Sequence, residues 1–159
     1  MVLTLTVAAF NPRTGENIMA GVRKFRGKTK FVYLPMTESL ALAKDSLVEM
    51  TSGKVAAADS SEEGAEVRGV LRHTIASTDS DYAAARLVEV EVPVERHVVW
   101  EFYDQTGFTA SDIGIEYGLT SSTALDQTNT TNDVFLVTEV LGTGTTQRIR
   151  GFLKTNGSY

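Results

Sequence analysis

The chain has 159 residues, of which 42% are hydrophobic, and its formal net charge is −5. This length and composition predict one domain with a substantial core, and the lack of cysteine excludes disulfides and thiolate metal sites. No apolar run approaches membrane-spanning length, and the opening MVLTLTVAAFNP lacks the charged region of a signal peptide, so we expect neither feature.

The first 35 residues differ in charge from the rest. They hold six Lys or Arg and one acid, whereas residues 36–159 hold nine and 19, which gives +5 against −10. Alternation over Val2–Val7 predicts a strand, and Asn11–Gly15 predicts a turn. Because Pro35 marks a boundary in this pattern, we predict an extended basic N-terminal arm over residues 1–35 and a β domain over residues 36–159. The arm contains a run in which basic and aromatic residues are interleaved: Arg23, Lys24, Phe25, Arg26, Lys28, Lys30, Phe31 and Tyr33.

Three interpretations of this basic run are open. It could contact nucleic acid, it could dock on an acidic protein surface, or it could be an ordinary solvated strand or hairpin. The acidic remainder of the chain argues against nucleic acid, because nucleic-acid-binding domains are usually basic as a whole.

Residues 36–85 contain the pattern of a hairpin and a further strand. Leu47–Met50 and Val55–Ala58 flank a Ser-Gly turn, which is typical of a tight β-hairpin. Val67–Ile75 predicts another strand, and Gly69 inside it indicates a bulge or a close backbone approach.

The longest alternation in the chain runs over Leu87–Phe102. Strict alternation predicts a β-strand with one buried and one solvated face, and Pro93 predicts a bend or an edge within it. The positions expected to share the buried face are Val88, Val90, Val92, Val94, Val98, Trp100 and Phe102. The positions expected to be solvated are Glu89, Glu91, Glu95 and His97.

Three more strands are predicted after this stretch, at Ile113–Thr120, Val134–Leu141 and Arg148–Leu153. Thr109–Asp112 predicts one short helical turn, and residues 120–132 predict a polar surface loop with little core content. Short strands separated by turns at regular spacing are typical of a small all-β barrel or sandwich.

The two histidines do not indicate catalysis. His73 and His97 are not in a metal-ligand spacing, and His97 falls on the solvated side of its strand. We therefore interpret both as structural or solvated residues.

The paired acids are equally unspecific. Asp79-x-Asp81 lacks the glycine and the final glutamate of a calcium loop, so turn capping is the better interpretation. Glu89 and Glu91 imitate a glycosidase pair, but glutamates are common on exposed strands. We predict no catalytic, cofactor-binding or metal-binding residues, no cofactor, and a protein that is not an enzyme.

A series of short patterns runs through residues 36–153: Leu42-x-Lys44-Asp45-x-Leu47-Val48, Ser52-Gly53-Lys54-Val55, Arg68-Gly69-Val70-Leu71, Val88–Val92, Thr106-Gly107 with Ala110-x-Asp112-Ile113-Gly114, Asp133-x-Phe135-x-Val137, and Arg150-Gly151-x-Leu153. This series resembles the capsid decoration (cement, head-stabilising) proteins of tailed bacteriophages. The resemblance implies a small β-barrel or β-tulip domain that binds the outer surface of the capsid, with the major capsid protein as partner and frequent clustering as homotrimers. It also implies an N-terminal arm on the capsid lattice, and this chain departs from the simplest members in having a longer N-terminal stretch.

The function expected from this resemblance is that of a structural virion protein, which stabilises a phage capsid from outside by bridging major capsid proteins. Neither nucleic acid nor a membrane is an expected partner. Another virion β-protein, such as a tail-tube or head–tail connector component, is the main alternative, followed by a β-barrel ligand-binding module. A trimeric β-barrel nucleotide hydrolase would require a glycine-rich nucleotide motif, which the sequence lacks. The expected capsid contacts are Arg23, Lys24, Phe25, Arg26, Lys28, Lys30 and Phe31.

Overall fold

The computed structural model describes residues 9–10, 17–18, 20–61, 67–95 and 97–154. The predicted strand at Val2–Val7 and the predicted turn at Asn11–Gly15 lie outside these residues. A single 3₁₀ turn spans Ala110–Asp112, where a short helical turn was predicted. The strands are β1 (Ala9–Phe10), β2 (Asn17–Ile18), β3 (Val22–Arg26), β4 (Thr29–Pro35), β5 (Leu47–Thr51), β6 (Lys54–Ala57), β7 (Val67–Leu71), β8 (Leu87–Pro93), β9 (Val99–Gln105), β10 (Glu116–Ser121), β11 (Ala124–Asp126), β12 (Phe135–Leu141) and β13 (Gln147–Leu153).

Two antiparallel sheets build the domain. One has six strands in the order β11-β10-β12-β13-β9-β3, and the other has five in the order β4-β8-β7-β5-β6, while β1 and β2 form a separate short pair. Apolar side chains of both large sheets belong to one buried cluster, so the sheets pack face to face as a sandwich. The all-β prediction is thereby confirmed.

The five-stranded sheet has a core on each face, because successive side chains of a strand point to opposite sides. On β5, Leu47 packs in the cluster shared with the six-stranded sheet, which contains Trp100 and Phe102. Val48 points the other way, into a second cluster with Val90 and the flanking segment at Met36. Both faces of the five-stranded sheet therefore carry buried apolar side chains.

A closed barrel was expected as one alternative, and the sheets do not form one. The five-stranded sheet curls until Met36, just after β4, forms a parallel bridge with Val55 of β6. The backbone N–H of Thr37 also donates to the carbonyl of Val55, at 3.1 Å. The six-stranded sheet instead has β11 and β3 as separate edges, so the architecture is a sandwich with one strongly curled layer.

Two local predictions are confirmed between residues 47 and 71. β5 and β6 pair as an antiparallel hairpin across the Ser-Gly turn. Gly69 lies so close to β8 that a Cβ atom there would be 2.2 Å from the carbonyl oxygen of Glu91. Only a residue without a side chain permits this approach of β7 to β8.

The stretch Leu87–Phe102, which was predicted to be one strand with a bend or edge at Pro93, forms two strands in different sheets. β8 ends at Pro93 and belongs to the five-stranded sheet, whereas β9 begins at Val99 and belongs to the six-stranded sheet. Val94, predicted to be buried, lies at the crossing between the sheets and is exposed. The positions that were predicted to face inward and are buried are Val88, Val90, Val92, Val98, Trp100 and Phe102.

The prediction that Glu91 is solvated is wrong, since only 3% of its surface is exposed. Alternation was read correctly, because Glu91 lies on the side of the sheet opposite Val90. That side carries Val70, which packs in the cluster shared with the six-stranded sheet. Both faces of the five-stranded sheet are therefore covered at the position of Glu91.

Residues 22–35 belong to the sheets, so the arm expected over residues 1–35 does not extend through this part of the chain. β3 pairs with β9 at the edge of the six-stranded sheet, and β4 pairs with β8 at the edge of the five-stranded sheet. Residues 22–35, here named the edge ribbon, thus accompany β8 and β9 through both sheets. The ribbon turns the corner at Gly27, whose φ of +107° is unfavourable for other residues.

The polar segment over residues 120–132 contributes more to the core than predicted. It contains β11, and Leu125 within it is buried. Gln105, itself buried, accepts a hydrogen bond from the N–H of Leu125 at 3.0 Å and donates to the carbonyl of Thr123 at 3.2 Å. One side chain of β9 therefore fixes the backbone of the edge strand β11.

Candidate interaction surface

The edge ribbon carries three of the most exposed aromatic residues of the described chain. Phe25 is 50% exposed, Phe31 57% and Tyr33 64%, and Leu87 opposite the end of β4 is 64% exposed. Phe31 and Tyr33 lie on the same side of β4, across from Glu91 and Glu89 of β8. Large apolar side chains grouped in this way are typical of a binding surface.

Two buried glutamates hold the ribbon on the domain, and Glu101 is the first. It lies on β9, opposite Arg23 of β3 on one side and Arg150 of β13 on the other. Arg150 Nε donates to it at 2.5 Å and Arg23 Nη2 at 3.3 Å. Arg150 also donates to Glu139 of β12 at 2.8 Å, so charges of alternating sign cross four adjacent strands.

Aromatic rings cover this ladder of charges. The guanidinium carbon of Arg23 lies 3.9 Å from the ring centroid of Tyr103, and that of Arg150 lies 3.6 Å from the ring centroid of Phe25. Such cation–π contacts shield Glu101, which is only 2% exposed. Phe25 therefore already contacts Arg150 of its own domain, although half of its surface remains exposed.

Glu91 is the second anchoring carboxylate. Arg72 donates to it through Nε at 2.6 Å and also through Nη2, and the hydroxyl of Thr29 donates to it as well. Lys24 Nζ lies 3.4 Å from the carboxylate, and Asp45 accepts from the remaining arm of Arg72. Lys24 and Thr29 thus tie β3 and β4 to a carboxylate between the two sheets.

The pKa of Glu91 reflects these contacts. Burial raises the pKa of this carboxyl, but the hydrogen bonds from Thr29 and Arg72, together with the positive charge of Arg72, outweigh burial. The pKa is consequently lower than the ordinary value of 4.5, and Glu91 is ionised at neutral pH.

The predicted contact residues divide into two groups. Arg23 and Lys24 pair with buried carboxylates of their own domain. Arg26 and the Lys28 side chain form no ion pair with any of the residues that the structure describes, and both are exposed. Lys30 is exposed as well and lies next to Phe31. The surface that remains available to a partner is therefore centred on Arg26, Lys28 and the exposed aromatics.

The two histidines and Asp79 are further candidates that the sequence offered. His97 packs edge-on against Phe152 at 5.9 Å between ring centroids, and His73 is exposed. Asp79 accepts from the backbone N–H of Ala76 at 3.0 Å, which agrees with its interpretation as a turn cap.

The carboxylates of both paired-acid motifs have partners within the domain. Asp79 and Asp81 both bind the guanidinium of Arg86. Glu89 accepts from the hydroxyl of Tyr33 at 2.9 Å, while Glu91 is engaged as described above. Within the described ranges, no group of three His, Cys, Asp or Glu residues is placed to hold a metal ion, and no helix is long and apolar enough to cross a membrane.

Sequence reasoning missed Glu101, Arg148 and Arg150. Arg148 and Arg150 are two residues apart on a strand, which places both on one face of the sheet. That spacing could have indicated a charged outer face, but Glu101, the carboxylate partner on β9, is far away in sequence.

Comparisons with protein-family models, curated proteins and solved structures found no match.

Proposed function

We propose that this protein is a structural virion protein that binds the outer surface of a phage capsid and stabilises the shell by bridging major capsid proteins. The observation that carries the proposal is the edge ribbon, which presents exposed aromatic and basic side chains on a domain of net negative charge. The series of patterns that resembles capsid decoration proteins supports the same conclusion.

The ribbon suits docking on a protein. Phe31, Tyr33 and Leu87 offer apolar area near the sheet edge, and buried aromatic anchors usually dominate binding energy. Arg26 and Lys28 are exposed charges near these anchors, and such rim charges mainly accelerate association and confer salt sensitivity. The expected partner surface is therefore acidic with apolar depressions. The proposed partner is the major capsid protein, and the proposal requires no catalysis, cofactor, nucleic acid or membrane.

Self-association is part of the proposal. Three copies that bind one capsid site together gain avidity without additional contacts, since each bound copy raises the effective concentration of the others. A homotrimer on the outside of the capsid is therefore proposed. Light scattering on the isolated protein and on decorated particles measures the stoichiometry, and single isolated copies on the shell would contradict this part.

The direct test is co-sedimentation with capsids that lack the protein, over a range of salt concentrations. The double variant Arg26→Glu/Lys28→Glu should weaken binding most at low salt, where screening is least. The double variant Phe31→Ser/Tyr33→Ser should weaken it at all salt concentrations. Lys24 is left intact because a carboxylate at that position would face the buried Glu91.

A matched control is Lys54→Glu/Lys154→Glu, which changes the net charge equally at ion pairs outside the ribbon. Unchanged sedimentation of both ribbon variants would refute the docking surface. Electron cryo-microscopy of the particle then locates the protein. Density on the capsid exterior supports decoration, whereas density in the tail tube or connector supports the alternative virion role.

A further inference from the structure

The outer face of the six-stranded sheet concentrates arginine. Arg23 and Arg26 on β3 lie on this face, opposite Glu101 and Val99 of β9, and Arg150 lies across from Glu101 on the other side. Arg148 is two residues before Arg150 and therefore shares its face. We name these four arginines, with Glu101 and Glu139, the arginine face. Four positive and two negative groups leave an excess of positive charge there, on a chain whose net charge is −5.

Two of these arginines are weakly engaged. The Arg148 guanidinium lies 4.0 Å from Glu101 and makes no hydrogen bond with any residue in the described ranges, and the side chain is 46% exposed. Arg23 makes one hydrogen bond to Glu101, at 3.3 Å, and its side chain is 47% exposed. A guanidinium has five N–H donors, so both retain most of their donors for another acceptor.

A buried donor without an acceptor lies beside them. Tyr103 is 4% exposed, and its hydroxyl has no hydrogen-bond partner among the described residues. Tyr103 is two residues after Glu101 on β9, with the Arg23 guanidinium above its ring. Buried hydroxyls are nearly always hydrogen-bonded, so an unpaired one next to free guanidinium donors indicates a missing acceptor.

We propose that the arginine face binds a carboxylate side chain from an acidic segment of a partner protein. Arg23 and Arg148 flank β9 and grip the carboxylate from both sides. Movement of Arg23 towards the ligand uncovers the Tyr103 hydroxyl, which then donates to it. Arg150 remains with Glu101 and Glu139, which hold it at 2.5 and 2.8 Å.

One observation favours an acidic protein segment over a phosphate group. Planar guanidinium donors match carboxylate and phosphate alike, but Phe25 provides a half-exposed ring on the same side for an apolar side chain next to the carboxylate. This inference deepens the proposed function, on which it rests for the identity of the partner.

The experiment is a titration of the ¹⁵N-labelled full chain, followed by NMR, with the peptide acetyl-Glu-Glu-Phe-Glu-Glu-amide. The matched probes are the same peptide with glutamine in place of glutamate, and inorganic phosphate. Shift changes are expected for the amides of Arg23, Tyr103 and Arg148 with the glutamate peptide only. Arg148→Gln and Tyr103→Phe should each weaken binding about tenfold, the effect of losing one charge-assisted hydrogen bond.

Both variants should fold, because among the described residues the Arg148 guanidinium makes only a distant ion pair and the Tyr103 hydroxyl has no hydrogen-bond partner. Lys54→Gln is the control and should bind like the original chain. The inference is overturned if the glutamate peptide causes no shifts, if the glutamine peptide or phosphate binds equally well, or if the two variants bind normally. Because no capsid is used, failure of capsid binding and failure of carboxylate binding are separate results.

Discussion

Substitution of Glu91 by glutamine tests how the edge ribbon is held. Glutamine keeps the shape of the side chain but removes the negative charge that Arg72, Lys24 and the Thr29 hydroxyl contact. Removal of one partner of a buried ion pair typically costs about 3–5 kcal/mol. Asp45 still pairs with Arg72, so we expect the lower end of that range, about 3 kcal/mol.

The assay is equilibrium unfolding in urea at pH 7, with thermal melting as a second measurement. For a domain of this size, a loss of about 3 kcal/mol corresponds to a decrease in Tm of about 6–12 °C. A double-mutant cycle with Arg72→Met should show that the two substitutions are not additive, because they remove the same interaction.

We also expect the effect of Glu91→Gln on the free energy of unfolding to depend on pH. The folded pKa of Glu91 lies below its ordinary value of 4.5, so its ionised form stabilises the folded state above that pH. This contribution is lost as the pH falls through the folded pKa. The stability difference between the original chain and Glu91→Gln should therefore be complete at pH 7 and shrink below 4.5. A loss under about 1 kcal/mol at pH 7, or an equal difference at acidic pH, would refute the reasoning.

Three further outcomes are expected. Gly69→Ala should lower the free energy of unfolding by about 3 kcal/mol or more, since its Cβ would meet a backbone oxygen at 2.2 Å, and a normal melting curve would contradict this. The pKa of Tyr117 is raised to about 12 by burial and by its hydrogen bond to Asp112, so ultraviolet titration of Tyr117→Phe should lack a tyrosine ionisation near pH 12 that the original chain shows. The stability that Tyr117 contributes should be complete below pH 10 and lost as the pH rises towards 12, which comparison of the two unfolding curves measures. Phe31→Ser should change the unfolding free energy by no more than about 0.5 kcal/mol, because the ring is mostly exposed, and a larger loss in urea unfolding would show that it packs in the fold.

Alternation in the sequence was sufficient for the all-β fold class and for most of the buried face of the stretch Leu87–Phe102. It predicted the burial of Val88, Val90 and Trp100, because a period of two fixes which residues share a face. It could not predict the burial of Glu91, since period alone does not show whether a second layer covers the opposite face. Pro93 indicated a bend, but it did not show that the chain passes from one sheet to the other between β8 and β9.

The basic run was recognised as a feature of the sequence, but its partners were not. Arg23 pairs with Glu101, which is 78 residues away, and the alternation of the stretch Leu87–Phe102 did not show that Glu101 has a basic partner. Charge composition therefore predicted a separate arm where the structure has edge strands. Phe31, Arg26 and Lys28 remain as the part of the predicted site that the structure leaves exposed, and the two basic side chains form no ion pair within the described ranges.

The course of the edge ribbon through both sheets has a consequence for how the chain folds. Tyr33 bonds to Glu89, 56 residues later, and Arg23 to Glu101, 78 residues later, so closing these loops costs chain entropy before either sheet gains its edge strand. During synthesis, the edge ribbon cannot pair, and its aromatic residues stay exposed, until β8 and β9 have left the ribosome. The paired edge ribbon contributes side chains to both buried clusters. The two clusters should therefore unfold in a single cooperative transition, which slow hydrogen exchange along the whole ribbon would reveal.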